Sequence, residues 1–173
     1  MKTAIVGFTG SGKSSMARAI AKITSDPILH LDTVHFTADW QRRPLSEART
    51  LVEEFCDREG WIIEGNYQSL QMQRRFAEAD AILFLNINRF RCFRQAVQRA
   101  FRNRGRQRED LAVGCYDRLT LSFLTWILFG SRTRRWTQFY RDLKEQYPET
   151  FIELKNPQQM RDWLASLQQA QDL

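Results

Sequence analysis

The chain has 173 residues, 43% hydrophobic and 27% charged, with a formal net charge of +6 at pH 7. A chain of this length and apolar content is expected to fold as one domain (1–173) burying roughly 70% of its unfolded surface, which excludes a disordered polymer. Three widely spaced cysteines, Cys56, Cys92 and Cys115, contain no CxxC pair, which argues against a disulfide scaffold and points to reduced thiols in a cytoplasmic compartment.

In chain order, Lys2 to Val6 is a short apolar run ending at Gly7 and predicts a strand. No export signal is recognisable in Met1 to Gly7. Ser14 to Ile23 predicts a helix with Met16, Ala17, Ile20, Ala21 and Ile23 on its inner face. Ile28 to Leu31 predicts a second strand. Ser46 predicts a helix N-cap, followed by Ala48, Leu51, Val52 and Phe55 at helical spacing. Trp61 to Ile63 predicts a third strand. Ala81 to Leu85, apolar throughout, predicts a fourth buried on both faces.

Arg89 to Arg102 predicts a helix with Phe90, Phe93, Val97 and Ala100 inward. Tyr116, Leu119, Phe123, Trp126 and Ile127 mark another. The apolar stretch Leu119 to Phe129 is far short of the ~20 residues a membrane span needs, so a buried helix and no membrane are expected. Trp136, Phe139, Tyr140, Leu143 and Tyr147 mark the next helix, after a break near Gly130. Thr150 to Leu154 predicts a fifth strand. Asn156-Pro157 with Gln159 then predicts a capped helix carrying Met160, Trp163, Leu164 and Leu167. Strands alternating with amphipathic helices predict an α/β fold around a parallel sheet.

The strongest motif is Gly7-Phe8-Thr9-Gly10-Ser11-Gly12-Lys13-Ser14, a full match to GxxxxGK[ST] between a predicted strand and a predicted helix. Glycines let backbone amides approach phosphate oxygens, and the helix N-terminus adds its positive end. Gly7, Thr9, Gly10, Ser11, Gly12, Lys13, Ser14 and Ser15 are the expected nucleotide-binding residues. Lys13 is expected to bridge the β- and γ-phosphates of ATP, and Ser14 to offer its hydroxyl to Mg²⁺. An Asn-Lys-x-Asp guanine signature is absent, and the fourth strand ends in Asn86 rather than an acid. A regulatory GTPase and a motor ATPase are therefore disfavoured, leaving a compact kinase-like protein.

Two acids stand at predicted strand ends. Asp32 follows the second strand and Glu64 the third, so in a parallel sheet both open onto the phosphate loop. Asp32 is suited to orient an acceptor hydroxyl, and with Glu64 and Ser14 it forms the expected metal set. His30 reads as a core histidine, while His35 is placed to touch an acceptor. No Cys/His spacing suggests zinc.

Of 26 basic residues only five are Lys, and from Ala81 to Arg108 there are eight Arg and no acid. Arginine's fork suits phosphate, so this stretch is expected to meet an anion, either the phosphates of a small molecule or nucleic acid. Gly105, within Arg-Asn-Arg-Gly-Arg, suits a hinge. Arg132, Arg134 and Arg135 read as a surface patch at a helix start, and Cys115 as packing.

Leu31-Asp32 followed by Trp40, the segment Trp61-Ile-Ile-Glu-Gly-Asn-Tyr67, Arg75 before Ala79-Asp80, and Gly114-Cys115 beyond the Arg-rich stretch carry a resemblance over nearly the whole chain. The sequence resembles the adenylate-kinase-like P-loop group whose members are often labelled DNA topology modulation proteins. The resemblance implies a three-layer α/β/α P-loop NTPase fold, nucleoside-monophosphate-kinase-like, with about five parallel strands. It implies an acceptor-binding segment at about 33–60 and a short Arg-rich lid at about 102–114. By it, Arg75 holds an acceptor phosphate, Arg99 clamps the donor phosphates, and Arg106 and Arg108 close over the transferring group. Trp40, Arg43, Asn66 and Tyr67 join Asp32 on the acceptor side. The function expected is an ATP-dependent phosphotransferase with Mg²⁺ and a small-molecule acceptor, a nucleotide or nucleoside being the candidate class. A nucleic-acid-associated regulator with an ATP-binding switch is the alternative, which a lack of any known DNA-reading module disfavours.

Overall fold

The computed structural model describes residues 1–103, 107–108, 110–116 and 120–171. Strands β1 (Lys2–Gly7), β2 (Ile28–His30), β3 (Trp61–Glu64), β4 (Ala81–Leu85) and β5 (Phe151–Leu154) form one parallel sheet in the order β2-β3-β1-β4-β5. Around it lie α1 (Lys13–Thr24), α2 (Leu31–His35), α3 (Leu45–Cys56), α4 (Met72–Ala77), α5 (Arg89–Arg102), α6 (Leu121–Leu128), α7 (Arg134–Gln146) and α8 (Pro157–Gln171).

A parallel sheet must be covered on both faces, and the pleat supplies apolar residues to each. Ala4, Val6, Ile63, Ile82 and Phe84 face one way, packing with Val52 of α3, Phe76 of α4 and Tyr140 of α7. Ile5, Ile62, Leu83 and Leu85 face the other, against Met16 and Ile20 of α1, Cys92 of α5 and Leu167 of α8. This is the three-layer architecture the sequence predicts. Because every strand runs the same way, the loops after β1, β2, β3 and β4 emerge along a single edge, where ligands of such sheets bind.

Several local expectations are corrected. Ser46 is not the N-cap: Pro44, fixed in an extended conformation, precedes the first turn, so α3 starts at Leu45. Leu31 leaves the strand and begins α2, which puts Asp32 in a helical turn. The buried face of α5 is Cys92 and Ala96, while Phe90 and Phe101 are exposed. The reason is proximity to the phosphate loop: a Cβ on Gly10 would come within 2.6 Å of the Cys92 carbonyl oxygen. Small side chains let the helix approach that closely, whereas a Phe facing that way would fill the space. The apolar run around α6 buries only Ile127 of its helix, with Leu121 and Trp126 exposed. No helix among the described residues is long and apolar enough to cross a membrane. The α8 cap forms with one change: the Asn156 side chain accepts from the Gln159 amide at 3.0 Å as predicted, whereas the Gln159 side chain accepts at 2.7 Å from the amide of Lys155, one residue before the cap.

Candidate active site

The loop between β1 and α1 wraps tightly because two of its glycines take left-handed conformations, Gly10 with φ 79° and Gly12 with φ 95°. Gly12 leaves the N-terminus of α1 without a side-chain cap. The first amides of the twelve-residue helix α1 therefore point into the cleft as donors, at the positive end of its dipole. Ser11 is buried and its hydroxyl has no hydrogen-bond partner, an orphan that a bound oxyanion would satisfy. The Lys13 ammonium spans the turn, donating to the Gly7 and Phe8 carbonyls at 3.1 and 3.3 Å.

A cleft of about 1020 Å³ opens on this turn. Thr9, Gly10, Ser11, Gly12, Lys13, Ser14 and Ser15 line one side of it, while Gly7 ends β1 at its base. Asp32, Glu64, Asn66, Tyr67, Trp40, Arg99 and Arg108 line the rest, together with Phe36, Arg91 and Asp110. The fold thus brings most of the residues anticipated from sequence into one space.

The carboxylates there are held by specific partners. His30 and Glu64 are register partners on β2 and β3, so their side chains share a face; His30 Nδ1 lies 2.9 Å from Glu64 Oε1. The Ser14 hydroxyl donates to that same oxygen at 3.0 Å. His30 is therefore a partner of the site and more than core filling. Asp32 accepts from the Tyr67 hydroxyl at 2.5 Å. Burial raises the Asp32 pKa, the Tyr67 hydrogen bond pulls it back, and the Glu64 charge pushes it up again. Burial and the Asp32 charge hold the Tyr67 phenol protonated well above its ordinary range.

Asp110 was not anticipated. Burial works against its charge, but the Arg108 guanidinium bonded to it, helped by the nearby Ser14 hydroxyl, outweighs that and brings its carboxyl down to about 2. The Arg108 guanidinium grips it with two nitrogens. The signal available in the sequence was that Glu109 and Asp110 are the first acids after the acid-free run. Cys115 ties its loop to the Thr37–Trp40 turn: its sulfur accepts from the Trp40 amide at 3.2 Å while the thiol donates to the Thr37 carbonyl at 3.3 Å. Cys115 packs there with Leu111, Ala112, Phe36 and Trp40.

Other anticipated residues are placed differently. Arg75 is fully buried and outside the cleft; it donates to the Leu70 and Tyr67 carbonyls, both at 2.8 Å, and burial lowers its pKa to about 10. Through these two bonds it braces the loop carrying Tyr67, while its Nη1 is buried without a hydrogen-bond partner among the described residues. Arg43 likewise lies off the cleft, bonded to the Val34 carbonyl at 2.9 Å and paired with Glu47. Asn66 lines the cleft but commits both ends of its amide to Gly7, donating to its carbonyl at 2.7 Å and accepting from its amide at 3.1 Å. It anchors the start of the phosphate loop. His35 stacks on Tyr67 with 4.4 Å between ring centres, and burial lowers its pKa. Arg106 and Gly105 lie outside the described residues.

Among the described residues no group of three or more His, Cys, Asp or Glu side chains is set to hold a metal ion. The Ser14 hydroxyl with the Glu64 carboxylate is nonetheless a pair of hard oxygen donors beside the phosphate turn. That suits Mg²⁺, which keeps most of its own waters and takes few protein ligands.

Neither a protein-family model nor a curated protein sequence matches the chain. Solved structures do. A shikimate kinase from Acinetobacter baumannii in complex with shikimate is 16% identical with a TM-score of 0.57, covering 97% of this chain and 90% of that one. A gluconokinase from Sinorhizobium meliloti 1021 is 18% identical with a TM-score of 0.53, covering 99% and 93%. A deoxyadenosine kinase from M. mycoides with dCMP and dCDP bound is 14% identical with a TM-score of 0.51, covering 98% and 100%. The chain has the fold of P-loop kinases.

Proposed function

We propose that the protein is an ATP-dependent phosphotransferase that uses Mg²⁺ and transfers the γ-phosphoryl group to a hydroxyl of a small molecule. One observation carries this reading: a single cleft holds an uncapped, glycine-lined amide turn with Lys13 on one side, and on the other a half-buried carboxylate, Asp32, fixed by a tyrosine hydroxyl. Phosphoryl transfer asks little of a protein beyond positioning and positive charge, and those are the resources assembled here.

In this scheme the amides of residues 10–15 and the ammonium of Lys13 hold the donor's β- and γ-phosphates. Ser14 and Glu64 are the residues that would hold Mg²⁺, which when bound neutralises developing phosphate charge. Asp32 accepts the proton of the acceptor hydroxyl, and its raised pKa makes it a stronger base than an exposed aspartate. Arg99 and Arg108 face the transferring group. Phe36, Trp40 and Tyr67 supply aromatic walls for the acceptor, and Pro157 and Met160 an apolar wall beside the turn for the donor nucleoside. Segment 33–60 acts as the acceptor-binding region and 102–114 as the lid, in a cytoplasmic protein.

With Arg75 and Arg43 both engaged elsewhere, an acceptor recognised by its own phosphate is less favoured than a neutral hydroxyl compound such as a sugar or nucleoside. Against a nucleic-acid role, Arg91, Arg99, Arg102 and Arg108 of the acid-free stretch line the cleft, where small-molecule phosphates reach them. The test is ATP consumption measured against nucleosides, nucleoside monophosphates, sugars and short oligonucleotides. Turnover with a hydroxyl acceptor, lost in Asp32→Asn, is the expected result. No turnover with any acceptor, together with no calorimetric signal for Mg²⁺-ATP, would refute it.

A further inference from the structure

A second cavity, of about 370 Å³, lies on the α7 side of the sheet at the carboxyl ends of β4 and β5 and shares no lining residue with the cleft. Its floor is aromatic. Phe84 of β4 and Tyr140 of α7 stack with ring centres 3.9 Å apart, and Phe8 meets Tyr140 edge-on at 5.4 Å. Its rim is cationic: Arg89, Arg132, Arg141 and Lys144. Three of the lining residues, Thr137, Arg141 and Lys144, recur on one face of α7 with Tyr140.

Among the described residues, the lining carries four cations and one acid. Glu153 is the one acid in the lining; it already accepts from the Asn86 side chain at 2.7 Å and lies 3.7 Å from the Lys155 ammonium. Arg132, expected from sequence in a surface patch, instead lies with its guanidinium 3.8 Å from the Phe8 ring centre and donates to the Ile87 carbonyl. The Tyr140 hydroxyl is buried beside the Gly7 backbone without a well-formed hydrogen bond. Clustered cations around an apolar floor repel one another, and an anion with a flat apolar body relieves that repulsion.

We propose that this cavity is a second ligand site, separate from the cleft, for a small aromatic anion whose ring lies on the Phe84–Tyr140 floor and whose carboxylate meets the Arg141–Lys144 rim. The volume is at the lower end of the ~300–1,000 Å³ typical of small-molecule pockets, which suits one or two fused rings. Because Phe8 belongs to the phosphate turn, the occupant touches the nucleotide-binding loop from behind. The proposal does not depend on the kinase reading.

The test is titration calorimetry with 2-naphthoate as the probe and uncharged 2-naphthalenemethanol as the control. One molecule of naphthoate is expected to bind per chain, at least tenfold more tightly than the alcohol. Binding persists in Lys13→Ala and at saturating Mg²⁺-ATP. It weakens at least tenfold in Arg141→Ala/Lys144→Ala, two exposed positions whose loss leaves the melting temperature near that of the parent. Thr137→Phe, which fills the cavity, serves as a second variant and abolishes it. Absence of binding, competition by ATP, or indifference to both variants would overturn the proposal.

Discussion

Replacing Tyr67 with phenylalanine deletes one oxygen from the cleft, and the consequence is readable as a proton equilibrium. The Tyr67 hydroxyl donates to Asp32 at 2.5 Å, an interaction that favours the ionised carboxylate. Hydrogen bonds to charged groups contribute about 1.5–3 kcal/mol, so losing this one moves the Asp32 pKa further up. Burial and the Glu64 charge already hold it above the ordinary value, so the change adds to an existing upward shift. If Asp32 must be ionised to take the acceptor's proton, the acidic limb of the kcat/KM profile moves to higher pH, while the rate at high pH is largely kept. Stability follows the same sign. A carboxyl with a folded pKa above its unfolded value makes its full contribution when protonated in both states. That contribution falls as pH rises from the unfolded towards the folded pKa. Tyr67→Phe therefore loses most stability at neutral pH, about 1.5–3 kcal/mol, and less once Asp32 is protonated. Urea unfolding at both pH values measures this without reference to activity. An acidic limb that stays put or moves down, with an equal stability loss at both pH values, would refute the reasoning.

Mg²⁺-ATP at 100 times its Kd stabilises the protein by about 2.7 kcal/mol, roughly 5–10 °C in Tm for a chain of this size, and Lys13→Ala abolishes that shift in a thermal melt. Gly10→Ala forces a left-handed backbone costing about 1–2 kcal/mol and drives a Cβ to 2.6 Å from the Cys92 carbonyl oxygen. The expected result is a folded protein, by circular dichroism, whose nucleotide-induced shift is lost. Arg75→Lys keeps the charge but loses the fork that reaches two carbonyls, so urea unfolding registers a loss of about 1–3 kcal/mol. A tenfold rise in acceptor KM at unchanged stability would instead return Arg75 to the acceptor.

The tight glycine turn between β1 and α1 was legible from its residues because its geometry is local. Three glycines, a lysine and a serine within eight positions have one reason to stand together between a strand and a helix. The central strand β4 was legible for a related reason, since a strand covered on both faces needs an uninterrupted apolar run, as Ala81 to Leu85 shows. Asp32 and Glu64 could be placed at the site because parallel strands end along one edge.

What only tertiary structure decided were the partners of long polar side chains. An arginine in a sequence is equally suited to a phosphate or to a pair of backbone carbonyls. Arg75 went to the carbonyls of Leu70 and Tyr67 because the turn into α4 curls them back over it. Arg132 went onto Phe8, and Asn66 onto Gly7, through contacts between residues 124 and 59 positions apart respectively. Asp110 reached Ser14 for the same reason. Local spacing carries backbone conformation and burial; the choice among distant partners of similar chemistry depends on which of them the packed sheet and helices bring within 3 Å or so.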